Sequence, residues 1–240
     1  MDSAFLIDLI WKLLQALPLT LLLFILAIAL GLVLAIGLTW MRVGGNPILT
    51  RIARFYIYVF RGTPLLIQLF LIYYGLGQFA FVRQSFLWPV LREPFNCAVL
   101  SLALCTAAYQ AEIFRGALLA VPLQQVEAAR AIGMSRLLMF RRIIIPIMIR
   151  QALPSYTTEM VLMIKSTSLA GLVTLQEMTF IANDVIHRTY RTFSVFLVAA
   201  AIYLILNFLL SRVLGYVEHR LSPHLRVMPE AKRPQPALVG

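Results

Sequence analysis

Four polar side chains stand inside otherwise apolar stretches of this chain: Gln68, Glu112, Glu159 and Lys165. An ionisable group within a membrane span costs about 2.5–3.5 kcal/mol at the helix centre, so each needs a partner or a polar cavity. The chemistry open to such groups is recognition and charge compensation. Glu112 and Arg115 stand at i and i+3 on one helix face, where they can neutralise each other. Glu159 and Lys165 are six positions apart, about 240° around a helix, and share no face. Glu159 therefore either pairs with a basic residue of a neighbouring span, Arg61 or Arg115, or faces a polar cavity and attracts a cationic group. Gln68 either lines that cavity or bonds a neighbouring helix. Arg61 lies near a span end and can snorkel, and Gly62 and Pro64 point to an irregular helix start beside it.

Nothing in the chain supports an enzyme. It has no G-x-x-x-x-G-K-S/T to cradle nucleotide phosphates, no H-E-x-x-H and no G-x-S-x-G. His187, His219 and His224 form no cluster with acids or cysteines at ligand spacing, and His187 reads as an ordinary outer-loop residue. Cys97 and Cys105 make no C-x-x-C and read as inert helix residues. No metal, cofactor or catalytic group is expected on this chain.

A second constellation is charged and helical. "EAARAIGMSRLLMFRRIIIP" runs from Glu127 to Pro146 between two apolar stretches. Pro122 suits a first helical turn, and good helix formers follow it. Gly133 stands where a C-terminal cap belongs, and Ser135 where an N-cap belongs. Leu137, Phe140 and Ile144 then make an apolar stripe, and Pro146 limits the second helix. A loop between spans needs only a few residues, so a helix–glycine turn–helix here favours a docking element over a plain surface hairpin.

The elements that must position these groups are membrane spans. The chain has 240 residues, 61% of them hydrophobic, against roughly 45–50% in soluble domains. Five apolar runs are placed at about 17–41, 60–81, 95–119, 149–174 and 193–217. The run 149–174 is the least regular, interrupted by Arg150, Pro154, Glu159 and Lys165. Residues 1–16 read as an amphipathic surface segment before an uncleaved first span, and residues 221–240 as a disordered tail rich in proline and charge. Arg42, Arg51, Arg54, the arginines of 130–150 and the basic residues from Arg212 onward fall on one side of the membrane. Lys12, Arg83, Arg92, Arg188 and Arg191 fall on the other. The richer side is cytoplasmic, which puts the N-terminus in the periplasm and the C-terminus in the cytoplasm. The net charge of +11 is then topological, with no nucleic-acid motif beside it.

The segment 120–148 resembles the EAA loop of ABC-transporter importer permeases, with Glu127, Ala128, Ala129 and Gly133 on its signature and Pro146 or Pro154 near its terminal proline. "FRGTPLLIQLFLIYYGL", "AAYQAEIFRGALLAVP" and "IKSTSLAGLV" resemble permeases of the polar amino-acid uptake branch, of histidine, arginine or opine type. The resemblance covers residues 17–220. It implies an all-α, five-span, MetI-like type I importer permease whose cytoplasmic coupling helix seats in an ATPase subunit. It also implies two ATPase subunits carrying ATP and magnesium, a second permease chain, identical or homologous, and a periplasmic solute-binding protein. The expected function is uptake of a polar, basic amino acid or an opine across the inner membrane by alternating access. Two rivals stand beside it: an ion-coupled secondary transporter using Lys165, Glu159 and Glu112 as a relay, and a non-transporting anchor or sensor subunit.

Overall fold

The computed structural model describes residues 3–221. The segment expected to be disordered, with His224, lies outside the described residues apart from Leu221. All elements found are helical. α1 (Ser3–Val43), α6 (Pro94–Leu119) and α11 (Thr192–Leu221) are each long and apolar enough to cross a membrane. Two bent pairs bring the total to as many as five spans.

α1 has 41 residues, about 60 Å at 1.5 Å per residue, twice the ~30 Å hydrocarbon core. The opening segment is therefore not a separate surface piece: it is the first turns of the same rod. Leu9 and Leu13 are wholly buried against Ala182, Val185, Val195 and Ala199, which gives those turns a reason to stay helical. α6 is the central helix. Cys97, Ala98, Ser101, Leu102, Cys105, Thr106, Ala107, Ala108, Gln110 and Ala111 are all buried on it. Small residues let α1 approach closely. A side chain at Gly31 would put its Cβ 2.3 Å from the Thr106 methyl.

The second expected span differs from what is found. α2 (Pro47–Gly62) and the run Leu65–Gln78, which opens with α3 (Leu65–Phe70), meet at 105°. Pro64 disfavours the helical region at Thr63, which is extended at φ −112°, ψ 143°. Residues 60–62 thus end one helix, and the span proper begins after the bend. Asn46 caps α2 by accepting from the amides of Ile48 and Leu49, and the Tyr56 hydroxyl ties α2 to α6 by donating to the Leu104 carbonyl at 2.7 Å. Two short helices, α4 (Ala80–Arg83) and α5 (Trp88–Leu91), fill the next connection.

The fourth span also differs. After α7 (Leu123–Ala131) the chain turns and then runs as one helical body from Arg136 to Val173. That body joins α8 (Arg136–Met139), a π turn at Phe140–Ile144, α9 (Ile145–Ser166) and a 3₁₀ stretch at Thr167–Val173. Pro146 does not stop the helix. It falls at the start of α9, just after the wide π turn, where its missing N–H and its ring are accommodated. The expected stripe of Leu137, Phe140 and Ile144 lies at the surface of this chain, with Ile144 half-buried. Leu137 and Phe140 are exposed, and Met139 is buried in their place.

A further helix, α10 (Met178–Thr189), follows at 50° where only an outer loop was expected, and His187 stands exposed in its last turn. Glu177 starts α10 and is fully buried. It accepts from the Phe180 amide at 2.9 Å and from the Tyr203 hydroxyl at 3.1 Å.

Candidate translocation cleft and docking segment

The polar residues singled out in the spans sort into four settings. Glu112 faces Arg115 at 2.8 Å, as the i, i+3 spacing allows, and also Arg42 from the end of α1 at 3.4 Å. One carboxylate thus stands between two guanidiniums from different helices. Gln68 is 6% exposed. Its amide donates to the Phe60 and Thr63 carbonyls and to the Thr63 hydroxyl, at 2.9, 3.0 and 2.9 Å. It bonds the preceding helix and closes the bend, satisfying carbonyls that the break at Pro64 leaves without intrahelical partners. Gln68→Ala is expected to lower the thermal stability of the purified protein, since unsatisfied buried polar groups cost about 1–3 kcal/mol. An unchanged melting curve would contradict this role.

Glu159 is the third setting. It is 7% exposed and accepts from the Thr106 hydroxyl at 2.8 Å, while the Gln110 amide donates to that same hydroxyl at 3.2 Å. Among the described residues Glu159 belongs to no ion pair: Arg115 is taken by Glu112, and Arg61 stacks on the Tyr109 ring with its guanidinium 5.0 Å from the centroid. Glu159 lines a cavity of about 450 Å³ with Arg61, Cys105, Tyr109 and Leu162. Cavities of about 370 and 580 Å³ adjoin it through Arg61 and Tyr109, and Glu112 lines both. The structure thus brings Glu159 and Glu112 onto neighbouring compartments. Gln68 and Lys165 are not among the residues lining them.

Lys165 stands exposed in the last turn of α9. It ends a stripe with Gln151, Ser155, Thr158 and Leu162, all exposed at helical spacing. α1 and α11 are different: their exposed faces carry Ile25, Val33, Ile36, Phe193, Leu204 and Phe208. Apolar faces suit lipid. A polar face on a spanning helix suits protein or water.

The turn of the docking segment is built as its sequence reads. Gly133 has φ +76°, the left-handed conformation that glycine adopts without strain. Its amide donates to the Arg130 carbonyl, and the Met134 amide donates to the Ala129 carbonyl, both at 3.0 Å. This pair of bonds is a Schellman cap. The Ser135 hydroxyl then accepts from the Leu138 amide at 3.4 Å. Glu127 and Ala128 are exposed and Ala129 is buried. Leu123, Ile132 and Leu137 are each more than 70% exposed. Such a concentration of bare apolar side chains beside charges is typical of interaction surfaces.

Sequence reasoning missed Thr106, Gln110, Tyr109 and Arg42 as parts of these sites. Thr106 and Gln110 read as ordinary polar residues of a span. The one available signal was their spacing at i and i+4, which puts them on a common face.

Residues 27–223 match the family described as binding-protein-dependent transport system inner membrane component. The chain is 54% identical over 225 residues to the octopine transport system permease protein OccM of Rhizobium radiobacter, covering 94% of this chain and 92% of the relative. It is 41% identical over 208 residues to the histidine/lysine/arginine/ornithine transport system permease protein HisM of Escherichia coli strain K12, covering 86% of this chain and 87% of that one. The crystal structure of an amino acid ABC transporter with histidines superposes with a TM-score of 0.81 at 32% identity, covering 92% of this chain and 99% of that chain.

Proposed function

Since this chain belongs to the binding-protein-dependent transport system inner membrane components, we propose that it is the permease subunit of an ATP-driven importer for a basic amino acid or an opine. The names of its relatives support that substrate class, and so does a carboxylate that has no ion partner among the described residues and stands on a cavity wall. The observation that carries the mechanism is the helical body from Arg136 to Val173. One end continues the docking segment, and the other bears Glu159 and the polar face of α9. A stiff rod joining the two passes displacement at the cytoplasmic surface directly to the cleft wall.

In this reading Glu127, Ala128, Ala129 and Gly133 form the coupling surface, on which one of two cytoplasmic ATPase subunits sits. ATP and magnesium belong to those subunits. The polar face of α9, ending at Lys165, meets a second permease chain, identical or homologous, and the two chains enclose the pathway. Glu159 attracts the cationic end of the substrate, and Glu112 lines the path nearer the cytoplasm. Gln68 serves the pathway indirectly, by fixing the bend that carries Arg61. The N-terminus lies in the periplasm, where a loaded solute-binding protein docks, and the C-terminus lies in the cytoplasm, in keeping with the distribution of arginine. ATP binding and hydrolysis bias the cleft between outward-open and inward-open states. Family membership removes the basis for an ion-coupled carrier or a silent anchor.

Reconstitution tests this. The complex in proteoliposomes, with ATP inside and a panel of loaded binding proteins outside, is expected to take up arginine, ornithine or an arginine-derived opine only when ATP is hydrolysable. Uptake that persists without the ATPase subunit would overturn the reading.

A further inference from the structure

Two residues are common to the three cavities along the cleft: Arg61 and Tyr109. Glu159 lies in one compartment and Glu112 in the other two. The Arg61 guanidinium sits over the Tyr109 ring at 5.0 Å, where the three compartments meet. We propose that Tyr109 is a binding platform for the substrate's own cationic group, and that Arg61 occupies it as an internal competitor until substrate arrives. This rests on the reading of Glu159 as the group that attracts that cation.

The chemistry is specific to cations. The face of an aromatic ring is negative and attracts a guanidinium or ammonium, most strongly where water is scarce. Beyond Glu159 the only other carboxylate on these walls, Glu112, is already paired with Arg42 and Arg115, so a cation leaving Glu159 would otherwise meet no compensating group. Tyr109 fills the gap, half-buried on α6 between wholly buried Ala108 and Gln110. Arg61 is suited to yield. It is in no ion pair among the described residues, and it is exposed on the last turn of α2 beside Gly62. Its backbone is held by the Gln68 bonds to Phe60 and Thr63, so the side chain can swing while the helix end stays in place. While seated, Arg61 puts a positive charge across the path, which opposes passage of small cations when no substrate is bound.

Competition gives the proposal its distinctive test. The purified complex of this chain with its partner subunits is titrated with arginine, with citrulline as the neutral isostere. Arg61→Gln removes the competitor and is expected to tighten arginine binding by about threefold or more, where a merely structural arginine would weaken it. Tyr109→Leu is expected to weaken arginine binding by about fivefold or more, while Tyr109→Phe keeps the preference for arginine over citrulline, since the ring face persists. Unchanged or weaker arginine binding by Arg61→Gln would overturn the proposal, provided Glu159→Gln still weakens it. If Glu159→Gln also leaves arginine binding unchanged, the reading of the cavity itself fails. Should Arg61→Gln not assemble, the Tyr109 pair decides: loss with leucine and retention with phenylalanine supports the platform, and equal behaviour of the two overturns it.

Discussion

Gly133→Val is expected to leave the chain inserted in the membrane and to lower uptake about five- to thirtyfold, the factor that about 1–2 kcal/mol against one local geometry gives. The cause is the backbone. At φ +76° a branched L-residue is strained by roughly 1–2 kcal/mol. Space is not the obstacle, because a Cβ at Gly133 meets nothing within 4 Å. The chain relieves the strain by giving up the Schellman bonds from Gly133 and Met134, and α7 then loses its fixed angle to the helical body behind it. Aspartate separates backbone from bulk, since it tolerates the left-handed region better than valine does. Gly133→Asp should therefore lose less through strain, and any larger loss would come from its charge at the docking surface. Uptake is measured in whole cells, with membrane content of the variant checked by immunoblot. Normal uptake by a normally inserted Gly133→Val chain would count against the coupling role.

Glu159→Gln is expected to fold, to assemble and to lose uptake of cationic substrates selectively. The Thr106 hydroxyl can donate to a glutamine oxygen as it does to the carboxylate, and no ion pair among the described residues is broken. What disappears is the charge. A hydrogen bond to a charged group contributes about 1.5–3 kcal/mol, so arginine uptake should fall by roughly ten- to a hundredfold. Competition assays with arginine and citrulline separate the charge effect from general damage. Poor insertion of the glutamine variant would instead indicate a basic partner supplied by the second chain, and unchanged uptake of every substrate would remove Glu159 from the pathway.

Much of this was legible from residue types, and the rest depended on tertiary structure. The docking turn is local: Gly133 and Ser135 fix it through caps a few residues long. The Glu112–Arg115 contact is one helical turn and needs no knowledge of the fold. Arg42 joins that pair only because α1 packs along α6, which no spacing in the sequence reveals. Pro146 misleads because a proline ordinarily ends a helix, and its rescue by a π turn depends on how Phe140–Ile144 winds. Pro64 pointed to an irregular start but not to a 105° bend. α10 was hidden because its N-cap, Glu177, is not among the residue types that commonly start a helix. Glu159 reads in sequence as a group needing compensation. The group that bonds it, Thr106, lies on another span 53 positions away.

The central claim is that the second half of the docking segment and the wall of the cleft are one rigid helical body, to which the Gly133 turn fixes α7. Inserting two glycines between Arg142 and Ile143, inside the π turn, breaks that rigidity and leaves both ends intact in sequence. The direct measurement is ATP hydrolysis by the reconstituted complex, with and without loaded binding protein, alongside uptake. The variant should hydrolyse ATP at the basal rate, show no stimulation by binding protein and transport nothing, while the same insertion between Gln84 and Ser85 in the outer connection leaves stimulation in place. Stimulated hydrolysis and uptake surviving the insertion at Arg142 would contradict the account.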